Sequence, residues 1–129
     1  MGEHRQTFPR SHRLSGREDF AAVYDARVRQ TRGAITMYAK PNALDHSRIG
    51  ISISRRVGSA PKRNRIKRLL RESYRLQRDE LPIGFDWIIV ARGHETMTLR
   101  EYQDVVRELT ENLARTWKRK DGADPPLAV

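Results

Sequence analysis

Residues 55–78, RRVGSAPKRNRIKRLLRESYRLQR, constrain the fold more than any other stretch of this chain. They hold ten of its 26 Lys and Arg residues and one of its 16 acidic ones, Glu72. The segment's net charge is +9, against +10 for the whole chain. Pro61 suits the first turn of a helix, where its missing N–H had no partner, and Ser59 can cap that turn. From Lys62 to Arg78 there is neither Gly nor Pro, and most residues are good helix formers. At about 100° per residue, Ile66, Leu69, Leu70, Ser73 and Gln77 share a narrow sector flanked by Tyr74 and Leu76. Asn64, Lys67, Arg68, Arg71, Arg75 and Arg78 lie opposite. This pattern predicts an amphipathic helix with an apolar stripe for docking and a cationic stripe left over.

Charged helix faces usually alternate in sign, because each i,i+4 pair contributes about 0.2–0.5 kcal/mol. Here Arg68, Arg71, Arg75 and Arg78 stand as like-charge neighbours. A solvated face is the plain alternative. Self-repulsion on this scale favours a polyanionic partner, and nucleic acid in particular. A pI near 10.8 without exposed aliphatic bulk argues against a membrane surface.

With 129 residues the chain makes one domain with a modest core, and 37% hydrophobic and 33% charged residues suit a globular protein. No apolar run approaches the ~20 residues of a membrane span or the apolar stretch of a signal peptide. The absence of cysteine excludes disulfides and thiolate metal ligands, and fits a cytoplasmic setting.

The chain reads as a disordered basic lead-in over residues 1–12, a single nucleic-acid-binding domain over 13–120 and a flexible tail over 121–129. Ser15 and Glu18 form a capping-box pattern that opens a short helix to about Ala26. Phe20, Val23 and Tyr24 fall on one side of it, as core residues or as a stacking platform. A short strand near Val28, turned at Gly33, is followed by two runs of period two. Ile35, Met37 and Ala39 face away from Thr36, Tyr38 and Lys40. Ile49, Ile51 and Ile53 face away from Arg48, Gly50, Ser52 and Ser54. The simplest pairing is an antiparallel hairpin turned at residues 41–47.

The polar face of that pair has small residues around Tyr38 and cations at its margins. It reads either as an ordinary solvent-facing surface or as a groove for a single strand, with a base on Tyr38 and phosphates near Arg48 and Arg55. Residues 85–91, FDWIIVA, form a nearly continuous apolar strand, central or covered on both faces. Thr98 and Glu101 form a second capping box. It opens a long helix to about Lys120, with Leu99, Tyr102, Val105 or Val106, Leu109, Leu113 and Trp117 at helical spacing.

Catalytic groups are hard to find. There is no Gly-rich phosphate loop, zinc spacing or nucleophile elbow, and His4, His12, His46 and His94 are scattered. Asp19, Asp45 and Asp86 form no recognisable two-metal cluster. No residue is assigned a catalytic role, and metal ligation by the protein is left open. A free-standing nuclease is therefore disfavoured, while a non-catalytic RNA-binding or ribosomal protein stays open.

The run at residues 48–74, RIGISISRRVGSAPKRNRIKRLLRESY, resembles the signature of the bacterial ribonuclease P protein subunit. The likeness extends to HRL and EDFAAVY within residues 12–24, to ITMYA and to FDWIIVAR, covering roughly residues 8–120. Two departures are Pro61-Lys62, where an aliphatic residue is expected, and Tyr24, where phenylalanine is common.

The resemblance implies an α+β fold in which a four-stranded mixed sheet packs with three helices, in the order α-β-β-β-α-β-α. It is like the second domain of a small-subunit ribosomal protein. It also implies a left-handed β-α-β crossover, against the general preference. The function implied is to bind a catalytic RNA, which is required for activity, and to promote removal of the 5′ leader from precursor tRNA. Mg2+ would be held mainly by the RNA, with one protein per RNA. Arg55, Arg56, Lys62, Arg63, Asn64, Arg65, Lys67, Arg68 and Arg71 match the part of the signature that contacts the catalytic RNA. Phe20, Tyr24, Tyr38, Ser52, Ser54 and Arg92 match the leader-binding surface.

Overall fold

The computed structural model describes residues 9–120. In strand β2 (Ile35–Pro41), Ile35, Met37 and Ala39 are buried, and Thr36, Tyr38 and Lys40 occupy the other face half-buried. Strand β3 (Arg48–Ile53) directs Ile49, Ile51 and Ile53 into the same core. Strand β4 (Phe85–Ala91) is apolar except at Asp86 and runs through the middle of the sheet. A short polar strand, β1 (Arg29–Arg32), joins β2 through a turn at Gly33 and forms one edge. The order is β1-β2-β4-β3, with β2 antiparallel to β1 and β4, and β3 parallel to β4.

The two period-two runs therefore do not pair with each other as a hairpin. β4 lies between them. An all-apolar strand placed at an edge would leave its backbone groups unpaired and its second face uncovered, and the central position avoids both. Residues 42–47 span the width of β4 instead, about 10 Å at ordinary strand spacing. Asn42 holds this loop. Its amide donates to the His46 carbonyl at 3.2 Å and to Asp86 Oδ1 at 2.9 Å, and its Oδ1 accepts from the Leu44 N–H at 2.8 Å.

Helices α2 (Ala60–Gln77) and α3 (Leu99–Lys120) cover one face of the sheet, and α1 (Arg17–Ala26) covers part of the other. The element order is the expected α-β-β-β-α-β-α, with α2 connecting the parallel neighbours β3 and β4. Ile66 and Leu70 of α2 are fully buried, and each such side chain stabilises the fold by about 1.5–3 kcal/mol. Leu76 falls off the stripe and is exposed.

Ser59 caps α2 by accepting from the Lys62 N–H at 3.4 Å. The Thr98–Glu101 box forms reciprocally: the Thr98 N–H donates to Glu101 Oε1 at 2.8 Å, and the Glu101 N–H donates to Thr98 Oγ1 at 3.1 Å. Far along α3, Trp117 Nε1 donates to the Ala39 carbonyl at 2.9 Å.

Two local expectations fail. α1 is capped by Gly16, whose φ of 92° turns the chain and which offers no side-chain cap, so the Ser15–Glu18 box does not form. Its C-terminus at Ala26 is as expected. The lead-in drawn to His12 is folded from Arg10 onward. Residues 10–12 make a 3-10 turn, the Leu14 N–H donates to the Ile49 carbonyl at 2.9 Å, and Arg13 bridges to Ile49. The rest of that lead-in, residues 1–8, and the tail over 121–129 lie outside the described residues. Among the described residues no helix is long and apolar enough to cross a membrane.

Candidate nucleic-acid interface

The cations of α2 occupy the side that the core leaves over. Asn64, Arg65 and Arg68 are exposed, and Lys62, Arg63, Lys67 and Arg71 are half-buried. Lys62, Arg63, Arg65, Lys67, Arg68 and Arg71 pair with no carboxylate among the described residues, whereas Arg75 pairs with Glu72. The stripe read as uniformly unpaired is thus interrupted at Arg75. Arg63 Nε is buried without a hydrogen-bond partner among the described residues. Burial, followed by the nearby Arg13 charge, lowers the Arg71 pKa below its ordinary value.

Arg55 and Arg56 lie exposed in a 3-10 turn between β3 and α2. Ser54 caps this turn by accepting from the Arg56 N–H at 3.1 Å, so its hydroxyl already has a structural use. Gly58 follows at φ 146°, a conformation that favours glycine, and Lys62 packs over it.

The leader candidates lie on the opposite face, in ranks set by the register. One rank crosses the sheet as Arg29, Tyr38, Ile88 and Gly50, and the next as Thr31, Thr36, Val90 and Ser52. Arg92 and Ser54 stand beyond the β4 and β3 ends of the second rank. α1 sets Phe20 against Gly50, and places Tyr24 edge-on to Tyr38 at 4.8 Å between centroids. Phe20 and Tyr24 are both half-buried and pack with Leu14, Val23 and Ile88. Both pack into this small core cluster and Tyr24 also lines the groove, so neither of the two readings excludes the other. Burial and then Tyr38 raise the Tyr24 pKa, against a hydrogen bond from Ser52. Arg92 donates to the Gly33 carbonyl at 3.3 Å and remains exposed.

Arg48 is not available to a phosphate. Its Nε and Nη2 donate to Asp86 at 2.8 and 2.6 Å, and Asp19 of α1 lies 3.6 Å away. Arg27 and Arg29 were not among the candidates, yet they line the groove with Tyr24 and Tyr38. Among the described residues no group of three or more His, Asp or Glu gathers to hold a metal ion.

A cationic helix on one face of the sheet and an aromatic groove on the other have the chemistry of the nucleic-acid-binding class of protein. The family model described as Ribonuclease P matches residues 8–117. A ribonuclease P protein component of Desulfovibrio desulfuricans is 37% identical over 121 residues, covering 92% of this chain and 93% of its own. That of Azotobacter vinelandii is 39% identical, covering 95% and 90%.

Among solved structures, the Staphylococcus aureus ribonuclease P protein superposes with a TM-score of 0.68 at 28% identity, covering 83% of this chain and 95% of its own. The Thermotoga maritima protein gives 0.61 at 29% identity, covering 81% and 96%. The chain belongs to the ribonuclease P protein family, and is a protein component of the ribonuclease P complex acting in tRNA processing. The reading as a ribosomal component gives way to it.

Proposed function

We propose that the protein binds the catalytic RNA of ribonuclease P through α2 and the turn before it, and the 5′ leader of precursor tRNA across the groove. The carrying observation is the row of α2 cations from Lys62 to Arg71 that find no carboxylate partner among the described residues, inside the residues that the family model matches. RNA phosphates would supply the missing acceptors, including one for Arg63 Nε. Arg55, Arg56, Lys62, Arg63, Asn64, Arg65, Lys67, Arg68 and Arg71 form this surface. Arg13 joins it at the β3 edge, beside Arg71.

Phe20, Tyr24, Tyr38, Ser52, Ser54 and Arg92 form the leader surface. Half-buried aromatic rings give a base a stacking partner whatever its identity. The protein's part is to hold substrate. Mg2+, which would activate the attacking water and neutralise charge in phosphodiester hydrolysis, is assigned mainly to the RNA. One protein per RNA and a cytoplasmic setting complete the proposal.

The test is reconstitution of the protein with its cognate catalytic RNA at low Mg2+, where precursor-tRNA cleavage should be rescued. Absence of rescue at every Mg2+ concentration would overturn the proposal. Protein alone should cleave nothing.

A further inference from the structure

The groove continues past the residues that the family signature carries. Two depressions meet on this face: one is lined by Tyr24, Arg27, Arg29 and Tyr38, and its neighbour includes Thr31, Thr36 and Arg92. Arg29 and Tyr38 belong to both. Arg29 faces Tyr38 across the β1–β2 ladder. Its Nη1 donates to Tyr38 Oη at 3.2 Å, and its guanidinium carbon lies 5.9 Å from the ring centroid.

Arg27 closes α1 in the left-handed conformation, at φ 59°. Neither Arg27 nor Arg29 pairs with a carboxylate among the described residues, whereas Arg32, on the other face of β1, pairs with Glu108 at 2.5 Å. Two unneutralised guanidiniums beside a tyrosine pair match the chemistry of single-stranded RNA. A guanidinium forks phosphate oxygens and stacks on a base plane.

We propose that Arg27 and Arg29 form an additional subsite for a leader nucleotide on the β1 side of Tyr38. Arg29 shifts there from the Tyr38 hydroxyl to a phosphate, and Arg27 takes the neighbouring one. This rests on the groove being the leader path. Its consequence is that this protein holds a longer stretch of single strand than the aromatic floor alone would reach.

The experiment uses the reconstituted ribonucleoprotein and precursor tRNAs whose leaders lengthen one nucleotide at a time, with dissociation constants measured while cleavage is held off. With wild-type protein, affinity should climb with leader length to a plateau. The Arg27→Ala/Arg29→Ala protein should lose about tenfold at that plateau, reach it at a shorter leader and lose less with short leaders.

Arg29→Gln keeps an N–H for Tyr38 Oη but no charge, and should lose as much as Arg29→Ala, whereas Arg29→Lys should recover part of the binding. An Arg29→Gln protein that binds like wild type overturns the subsite, as does an equal loss at every leader length. Arg29 would then only position Tyr38. Tyr38→Ala separates the two levels. If it leaves the length dependence intact, the leader-path reading falls and the subsite with it. If it abolishes the dependence while the double arginine variant follows the wild-type length curve unchanged, the subsite alone falls.

Discussion

Phe20 stands over Gly50 with no room for a methyl group between them: a Cβ built on Gly50 would lie 2.4 Å from Phe20 Cζ. Gly50 sits opposite Ile88 in the β3–β4 ladder, so the strand cannot easily move away. Gly50→Ala should therefore displace Phe20 from its packing and cost about 1–3 kcal/mol of stability by overpacking. Phe20→Leu in the same chain should recover part of that loss. Urea unfolding measures both, and an unchanged midpoint for Gly50→Ala would show that the ring yields freely.

Arg68 is exposed on α2 and Arg71 is half-buried beside Arg13. If both neutralise RNA phosphates, each contributes about 0.7–0.9 to the slope of log affinity against log salt. Arg68→Ala/Arg71→Ala should flatten the slope for the catalytic RNA by roughly one and a half. Salt titrations of binding read this directly. A weaker complex with an unaltered slope would mean that the pair acts through packing and not through charge.

Asp86 joins two strands and a loop, accepting from Arg48 and from Asn42. Asp86→Ala would leave a guanidinium that is only 26% exposed with the more distant Asp19, at 3.6 Å, and leave the Asn42 amide one acceptor short. The expected loss is about 3 kcal/mol, because removing one partner of a buried pair leaves the other uncompensated. Replacing Arg48 by Met in the same chain should restore part of it, since the stranded charge is then gone. Thermal melts decide. A double variant less stable than Asp86→Ala alone would contradict this account.

What could be read from sequence divides by range. Local signals were legible. The alternation around Met37, the Ser59 cap, the Thr98–Glu101 box and the docking stripe through Ile66 and Leu70 all depend on neighbours within one helical turn or one strand. Pairing partners far along the chain were not. Residues 85–91 announced a central strand, but nothing local says that β4 separates β2 from β3.

The same limit acts in the interface. The cationic stripe shows in sequence because it lies on one helix. Arg48 reads as a free cation because Asp86 is 38 residues away. Arg27 and Arg29 lie within a polar stretch with little pattern, where the alternation of Arg29 with Thr31 on β1 is the local signal of a shared face.

His12 and His46 stack at 4.4 Å between ring centroids, 16° from parallel, where the segment before α1 meets the loop after β2. His46 faces Asp45 at 2.9 Å and the Ser11 carbonyl at 3.2 Å. Burial, then His46, then Arg78 lower the His12 pKa from 6.5, with Asp45 opposing. The folded protein thus binds a proton at His12 less readily than the unfolded chain does. Between the lowered value and 6.5 the unfolded state carries more protons, so stability rises with pH across that window. The contribution is fully present above 6.5 and is lost as pH falls toward the folded value. Asp45, whose pKa His46 lowers from 3.8, adds a loss only at more acidic pH. Urea midpoints should therefore be lower at about pH 5.5 than at about pH 7.5, where an ordinary histidine has lost its charge. His12→Gln should narrow that gap. If His12→Gln keeps the whole gap, the acid sensitivity comes from another group and the stacked pair plays no part in it.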